Sequence, residues 1–159
     1  MGIIYNRVDG RMVHGQVATS LAPALRADEI LVLNDEAAQD TNQIMLMQLA
    51  SPQGCEIDVF TIETGTEIIL DQDFNGDRTF IIFKTIQDAL KAAVYGYVPE
   101  VLYIGGMYST EGKEEKAIAL YVDSEDCRAF RQLEDKGVQL IYQVSPLNKE
   151  KKLSELVDY

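Results

Sequence analysis

The chain has 159 residues, of which 47% are hydrophobic, and its 26 acidic and 14 basic residues give a formal net charge of -12 at neutral pH. This length suffices for one hydrophobic core, so we expect a single domain over residues 1–159. A strongly acidic surface repels phosphate backbones and anionic lipid headgroups, which argues against nucleic acid as a partner.

The N-terminal residues lack the basic, apolar and small-residue regions of a secretory signal, and no apolar run approaches the roughly 20 residues that span a bilayer. We therefore expect a soluble, cytoplasmic protein. Cys55 and Cys127 are too few and too far apart to indicate a disulfide framework or a zinc site. We interpret both as small, buried apolar side chains.

Short apolar runs alternate along the chain with stretches of helical length, which predicts βα units and a mainly parallel sheet. Several runs are apolar at successive positions, as buried parallel strands often are. The seven predicted strands cover residues 3–8, 29–34, 56–61, 78–83, 100–105, 117–122 and 138–143.

The intervening segments predict five helices, at residues 15–27, 35–50, 85–97, 124–137 and 148–159. In the first helix, Pro23 is expected to cause a kink or an early end. In the second, Asp35 is the expected N-cap. The fourth opens on Ser124 as a cap and closes on Gly137. The apolar face of the second helix is predicted to comprise Ala38, Ile44, Met45, Leu46 and Leu49.

Two loops at the carboxyl ends of predicted strands carry unusual residues, and ligands of open parallel sheets bind at this edge. One loop, at residues 105–113, contains three glycines and several small polar residues. The other follows the first strand and holds His14, the only histidine of the chain. The sequence thus predicts a functional site where these loops meet.

The histidine loop combines three features that suit a phosphoryl group. His14 lies just before a predicted helix, whose first N–H groups and dipole favour an anion. Neutral imidazole is a competent nucleophile, and the guanidinium groups of Arg7 and Arg11 can neutralise phosphoryl oxygens. Asp9 is suited to hold one imidazole tautomer, and Gln16 adds a neutral donor.

Structural alternatives fit the same residues. A lone histidine near a helix start is commonly an ordinary, partly buried residue, and an Arg-Asp pair in a turn commonly serves structure alone. Gly105 and Gly106 could serve only to permit a tight turn. A different class of function also fits: a non-catalytic regulatory or receptor domain whose arginine-rich loop binds an anion.

The stretch RVDGRMVHGQV, residues 7–17, resembles the signature R-(I/V)-D-x-R-(L/M)-(I/V)-H-G-Q-V of enzyme IIB subunits from the mannose/fructose/sorbose class of the bacterial phosphoenolpyruvate-dependent sugar phosphotransferase system. The resemblance extends over essentially the whole chain. It includes VLNDEAAQD at 32–40, YIGGM at 103–107 with a following Gly-Lys pair, and GVQLIYQVSP at 137–146.

This resemblance implies an α/β fold with a doubly wound, mostly parallel sheet of about seven strands and helices on both faces. It also implies that His14 accepts a phosphoryl group from the phosphohistidine of an enzyme IIA subunit and donates it to a sugar held by the membrane subunits IIC and IID. The protein would then be cytoplasmic and peripherally associated with its transporter. No cofactor or metal is expected, because phosphoryl transfer from a phosphohistidine relies on positioning and charge stabilisation.

The resemblance further implies which residues serve the reaction. Arg11 is expected to assist transfer, and Arg7 and Asp9 match the other polar positions of the motif. The remaining expected phosphate-binding residues are Gly15, Gln16, Gly105 and Gly106.

Two apolar residues and one tyrosine also lie near the predicted site. Met12 and Val13 could contribute to a docking patch for IIA, although Val13 could equally point into the core. Tyr103 stands where family members often carry Asn, so the chain departs from the pattern at that position.

Overall fold

A computed structural model describes residues 2–159. The strands are β1 (Gly2–Asp9), β2 (Glu29–Leu33), β3 (Glu56–Phe60), β4 (Arg78–Phe83), β5 (Val101–Gly106), β6 (Glu114–Ala117), β7 (Leu120–Val122), β8 (Gln139–Tyr142) and β9 (Lys151–Lys152). The α-helices are α1 (Ala22–Leu25), α2 (Thr41–Leu49), α3 (Ile62–Leu70), α4 (Ile86–Tyr95) and α5 (Ser124–Asp135). A π-helical turn at Val17–Leu21 precedes α1, and short 3-10 turns lie at Ala37–Gln39 and Leu153–Glu155.

Seven strands form one sheet in the order β3-β2-β4-β1-β5-β8-β9. All neighbouring pairs are parallel except β8 and β9, which are antiparallel. The predicted mostly parallel, seven-stranded α/β fold is therefore confirmed. Because β1 lies in the middle of this order, the loop that follows it emerges between the ends of β4 and β5.

Helices cover both faces of the sheet. On one face, α3, α4 and α5 pack against strand residues that include Val8, Phe83 and Ile104. On the other, the helical segment 17–25 and Met47 of α2 pack against residues such as Phe80 and Ile82. The side chains of β4 alternate between the two layers, as the two-residue period of a strand requires. Within residues 2–159, no helix is both long and apolar enough to cross a membrane.

The predicted sixth strand was wrong in its placement. Residues 117–122 do not join the main sheet: β6 and β7 pair antiparallel with each other, in a separate hairpin. Ala119 adopts a left-handed conformation with φ of 56°, which turns the chain between them. The seventh strand of the main sheet is instead the two-residue β9, within the segment 148–159 that was predicted as a helix.

The predicted helix at 35–50 also needs correction. Asp40 is extended, with φ of -101°, and its side chain caps α2. Asp35 instead accepts the N–H of Ile62 at 2.8 Å and pairs with Lys91 at 2.7 Å. This interruption changes the helical phase, so three members of the predicted inward apolar face are exposed, namely Met45, Leu46 and Leu49.

Other helix predictions agree more closely with the structure. The helical segment continues through Pro23, after winding more widely at Val17–Leu21. Helix α5 begins at Ser124, but its cap is Asp123, which forms a reciprocal capping box with Asp126. Gly137 has φ of 97° just after the helix, as a C-terminal glycine should. Helix α3 was not predicted.

Both cysteines were predicted to be buried, and this prediction fits Cys55 better than Cys127. Cys55 is buried and Cys127 is half-buried, and both thiols are free. Burial raises the pKa of both thiols, to about 11 for Cys55.

Candidate functional site

His14 lies between the central strand and the helical segment that follows it. Strand β1 ends at Asp9, and helical turns begin at Gly15. The N–H of Ala18 donates to the carbonyl of His14 at 2.9 Å, so His14 is the residue immediately before the first helical position of this segment. The N–H groups of the next residues have no acceptor within the helix and are available to an anion. The predicted location of His14 at a helix start is confirmed.

The carboxylate of Asp9 connects the polar residues of the loop. Its Oδ2 lies 3.2 Å from Nε2 of His14 and accepts a hydrogen bond from Nε of Arg7 at 3.1 Å. Its Oδ1 accepts the backbone N–H of Arg11 at 3.0 Å. The side chain is wholly buried. One fixed carboxylate thereby orients the imidazole and the loop that carries it.

Opposing effects act on the pKa of Asp9. Burial alone would raise it, but the hydrogen bond with His14, the charge of Arg7 and the backbone donor of Arg11 together hold the pKa below its usual range. Asp9 is therefore an ionised acceptor at neutral pH. An ionised carboxylate favours a protonated Nε2 on the facing imidazole.

Arg7 is a buried residue, and only 1% of its side chain is exposed. Its guanidinium donates to the carbonyls of Gln143 and Val144, at 3.1 and 2.7 Å, in addition to Asp9. The structure thus does not place Arg7 at the surface beside His14, where the sequence analysis expected a second phosphate-binding guanidinium. Arg7 acts on the site through Asp9.

The two glycines of β5 make room for side chains of the site. A Cβ atom on Gly105 would lie 1.9 Å from Cζ of Arg7, and one on Gly106 would lie 2.5 Å from Oη of Tyr108. Both glycines belong to the strand, so neither forms the tight turn considered as an alternative. The carbonyl of Gly106 accepts the N–H of Gly10 at 2.9 Å, which joins the two loops.

Arg11 differs from Arg7 in its surroundings. Its side chain is exposed, and within residues 2–159 its guanidinium has no hydrogen-bond or ion-pair partner. The guanidinium carbon lies 4.6 Å from the centre of the Tyr108 ring, in cation–π geometry. Arg11 therefore presents unpaired N–H donors beside the histidine loop.

Tyr108 is the residue of the site that the sequence analysis did not single out. Burial raises its pKa, the charge of Asp9 raises it further, and Arg11 opposes the change. The only signal in the sequence was its position in the irregular loop 105–113. Nothing in that loop's composition indicates that its tyrosine reaches Arg11.

The remaining predicted residues divide between surface and core. Gly15 and Gln16 are exposed at the start of the helical segment. Met12 and Val13 are buried, so the suggested docking patch of these two residues is wrong, and the alternative that Val13 points into the core is confirmed. Met12 has φ of 57°, a left-handed conformation that is uncommon for its side chain. Tyr103 stacks on Tyr5, with ring centres 4.4 Å apart.

A cleft of about 220 Å³ opens beside the histidine loop. Gly10, Lys84 and Tyr108 are among the residues that line it. Lys113 also lines it, but this ammonium is paired with the buried Asp126 at 2.8 Å. The cleft adds positive charge to the edge that carries His14.

One cluster of carboxylates lies elsewhere. Ligand oxygens of Glu29, Glu56 and Asp58 approach one another within 4.8 Å, at the β2–β3 pair. Glu29 and Glu56 stand at the amino ends of their strands, whereas His14 lies at the carboxyl end of β1. This cluster is not part of the histidine site.

Comparison with known proteins defines the class to which this fold and loop belong. The chain matches the family described as "PTS system sorbose subfamily IIB component" over residues 3–159. The protein therefore belongs to the sorbose subfamily of phosphotransferase-system IIB components, a family of phosphotransferases.

Individual relatives support this assignment. The chain is 31% identical over 140 residues to the PTS system sorbose-specific EIIB component of Klebsiella pneumoniae, covering 88% of this chain and 85% of the relative. The crystal structure of the IIBSor domain of the sorbose permease from the same organism superposes with a TM-score of 0.90 at 28% identity, covering 98% and 95% of the two chains. The PTS system mannose-specific EIIAB component of Escherichia coli K12 is 29% identical over 134 residues, which cover 84% of this chain and 42% of that protein.

Proposed function

We propose that the protein is a phosphoryl-relay subunit that carries a phosphoryl group on His14. The observation that carries this proposal is the pairing of Nε2 of His14 with the buried carboxylate of Asp9, in a loop that also carries the unpaired guanidinium of Arg11. In residues 2–159 no hydrogen bond engages Nδ1 of His14, so this nitrogen is available as the nucleophile.

In the receiving step, the lone pair of Nδ1 attacks phosphorus of a donor phosphohistidine. A new N–P bond forms on His14 as the N–P bond of the donor breaks, and the bonding electrons return to the donor imidazole. The proton on Nε2 stays in place, and the anionic Asp9 stabilises the positive charge that develops on the ring. Arg11 and the backbone N–H groups from Gly15 onward stabilise the phosphoryl oxygens.

In the donating step, a sugar hydroxyl attacks phosphorus and the N–P bond to Nδ1 breaks. The electron pair returns to the imidazole, and the hydroxyl proton passes to a base. Both steps require positioning and charge stabilisation rather than a covalent change elsewhere in the protein. Arg7 supports both because it fixes the carboxylate that holds the imidazole.

The proposed partners are a IIA subunit as donor and the membrane subunits IIC and IID as holders of the sugar. The mannose relative is named as an EIIAB component, which supports an association between the two activities. The sorbose structure is described as part of a permease, which supports a place beside a membrane transporter. We accordingly propose a cytoplasmic protein peripherally associated with that transporter.

The test measures transfer of a phosphoryl group to this protein from phosphoenolpyruvate, through the general phosphotransferase proteins and a cognate IIA. The expected product carries acid-labile, base-stable phosphate, and because His14 is the only histidine, phosphohistidine can form nowhere else in this chain. His14→Gln should fold with an unchanged melting temperature and take up no label. Equal labelling of the parent and His14→Gln would refute the relay. So would the absence of label on the parent when the same IIA labels another IIB protein.

A second candidate is a regulatory or receptor domain that binds an anion without transfer. The unpaired guanidinium of Arg11 favours this function, because anion binding needs arginine and backbone donors but no nucleophile. Under this alternative, His14→Gln binds inorganic phosphate as the parent does and the parent accepts no label. The same pair of proteins therefore separates the two functions.

A further inference from the structure

We infer that Tyr108 is a positioning residue for phosphoryl transfer, holding the guanidinium of Arg11 ready for the phosphoryl oxygens. This inference rests on the proposed relay function. It begins with the contact already described: the guanidinium carbon of Arg11 lies 4.6 Å from the ring centre of Tyr108, and no other polar partner holds that group within residues 2–159.

The geometry of this contact suits a residue that must also bind phosphate. A cation–π interaction holds a guanidinium through the π face of an aromatic ring rather than through a hydrogen-bond acceptor. Within residues 2–159 no acceptor engages the N–H donors of Arg11, so they remain unpaired beside the ring. An ion pair with a carboxylate would instead occupy the same donors that a phosphoryl group requires. Tyr108 therefore restrains Arg11 without competing for its ligand.

The ring of Tyr108 is itself fixed by the two loops of the site. A Cβ atom on Gly10 would lie 3.0 Å from its Cδ2, and one on Gly106 would lie 2.5 Å from its Oη. These two glycines are joined by the hydrogen bond between the N–H of Gly10 and the carbonyl of Gly106. The ring thus packs directly against the backbone of the histidine loop and of β5, which gives Arg11 a rigid support.

This arrangement explains how the guanidinium of an exposed arginine is kept at the histidine loop in a strongly acidic protein. A long side chain in solvent loses conformational entropy when it binds phosphate, and a fixed aromatic ring reduces that loss. The net charge of -12 offers many competing carboxylates to an unrestrained guanidinium. The cation–π contact with Tyr108 keeps the guanidinium of Arg11 at the histidine loop.

The experiment measures the single-turnover rate of phosphoryl transfer from phosphorylated IIA to His14 in the full chain. Tyr108→Phe keeps the ring and should transfer at nearly the parent rate. Tyr108→Leu keeps an apolar side chain without a π face, and we expect a rate about 2- to 5-fold lower, the scale of a cation–π contact at an exposed site. Tyr95→Leu is the matched control, because Tyr95 is exposed at the end of α4, and its rate should equal that of the parent.

The measurement that separates positioning from a structural role is the double variant. In an Arg11→Ala background, Tyr108→Leu should cause no further loss, because its effect passes through Arg11. An equal loss in both backgrounds would overturn the inference, as would an unchanged rate for Tyr108→Leu alone. A rate for Tyr108→Phe as low as that of Tyr108→Leu would overturn it too, by assigning the effect to the hydroxyl group.

Failure of this inference is distinguishable from failure of the proposed function. If the parent accepts no phosphate from active IIA, the relay itself fails. If the parent is labelled on His14 and the leucine variant matches its rate, the relay stands and the positioning role of Tyr108 is refuted. Thermal unfolding of each variant verifies that rates are compared between folded proteins.

Discussion

The imidazole of His14 directs Nε2 at the wholly buried carboxylate of Asp9, at a distance of 3.2 Å. This contact leaves Nδ1 as the nitrogen available for chemistry. We predict that the phosphorylated protein carries its phosphoryl group on Nδ1, with the proton retained on Nε2. Two-bond ¹H–¹⁵N correlation spectra of the phosphorylated protein distinguish the two isomers, and a phosphoryl group on Nε2 would contradict the orientation described here.

The buried carboxylate of Asp9 is also expected to stabilise the folded protein. Asp9→Asn removes the charge that compensates the buried guanidinium of Arg7, and we expect a loss of about 3 kcal/mol in the free energy of unfolding. Asp35→Asn is the control, because Asp35 pairs with Lys91 at a largely exposed position, where an ion pair contributes under about 1 kcal/mol. Urea unfolding of the parent and the two variants at neutral pH provides the comparison. Similar losses in the free energy of unfolding for both variants would show that the buried Asp9–Arg7 pair stabilises the protein no more than the exposed Asp35–Lys91 pair does.

The lowered pKa of Asp9 predicts how the difference in unfolding free energy between the parent and Asp9→Asn varies with pH. A carboxyl group whose pKa is lower in the folded state contributes its full stability above its unfolded pKa, near 4. That contribution is lost as the pH falls through the folded pKa. The stability difference between the parent and Asp9→Asn should thus be constant above about pH 5 and shrink on further acidification. Unfolding curves over pH 3–7 test this, and a difference that grows towards low pH would contradict it.

The two arginines of the motif should respond in opposite ways to substitution. Arg7→Met removes a buried group with three hydrogen-bond acceptors, and we expect a stability loss of about 3 kcal/mol. Arg11→Met removes an exposed guanidinium without such partners, so its stability should change by under about 0.5 kcal/mol. Its transfer rate should nevertheless fall by about 100-fold, because a charge-stabilising donor is lost. Melting temperatures and single-turnover rates measured on both variants provide the check; an unstable Arg11→Met protein would disprove the assignment.

Glycine substitutions test the packing of Arg7. In Gly105→Ala, the added methyl group would lie 1.9 Å from Cζ of Arg7, so the guanidinium must move from its acceptors, and we expect a loss of about 2–4 kcal/mol. Gly15→Ala serves as the matched control, since no atom lies within 4 Å of its added methyl group. This second change should be neutral or stabilise the protein by up to about 1 kcal/mol. Equal unfolding midpoints for the two variants would contradict the close packing of the Arg7 guanidinium against Gly105.

Local sequence signals predicted the central features of the fold. Apolar runs such as residues 78–83 identified buried parallel strands, and Gly137 marked the end of α5 correctly. The motif around His14 likewise located a histidine between a strand and a helix. These predictions succeeded because the governing interactions lie within a few residues of one another.

Predictions failed where distant contacts decide the outcome. The role of Asp35 depends on Ile62 and Lys91, which lie far from it in the sequence. Arg7 falls in the predicted strand 3–8 and Arg11 in the loop that follows, but nothing in the motif shows that Arg7 donates to the carbonyls of Gln143 and Val144. Sequence periodicity carries no information about such partners.

The bonds from Arg7 to Gln143 and Val144 span 136 and 137 residues of the chain. The loop that bears His14 is thus supported by an arginine that acquires two of its acceptors only from residues far downstream. Contacts of such long sequence separation form late, because the entropy of closing a large loop opposes them. During synthesis His14 thus emerges from the ribosome well before Gln143 and Val144, and the arrangement that orients its imidazole is completed only after those residues have been made.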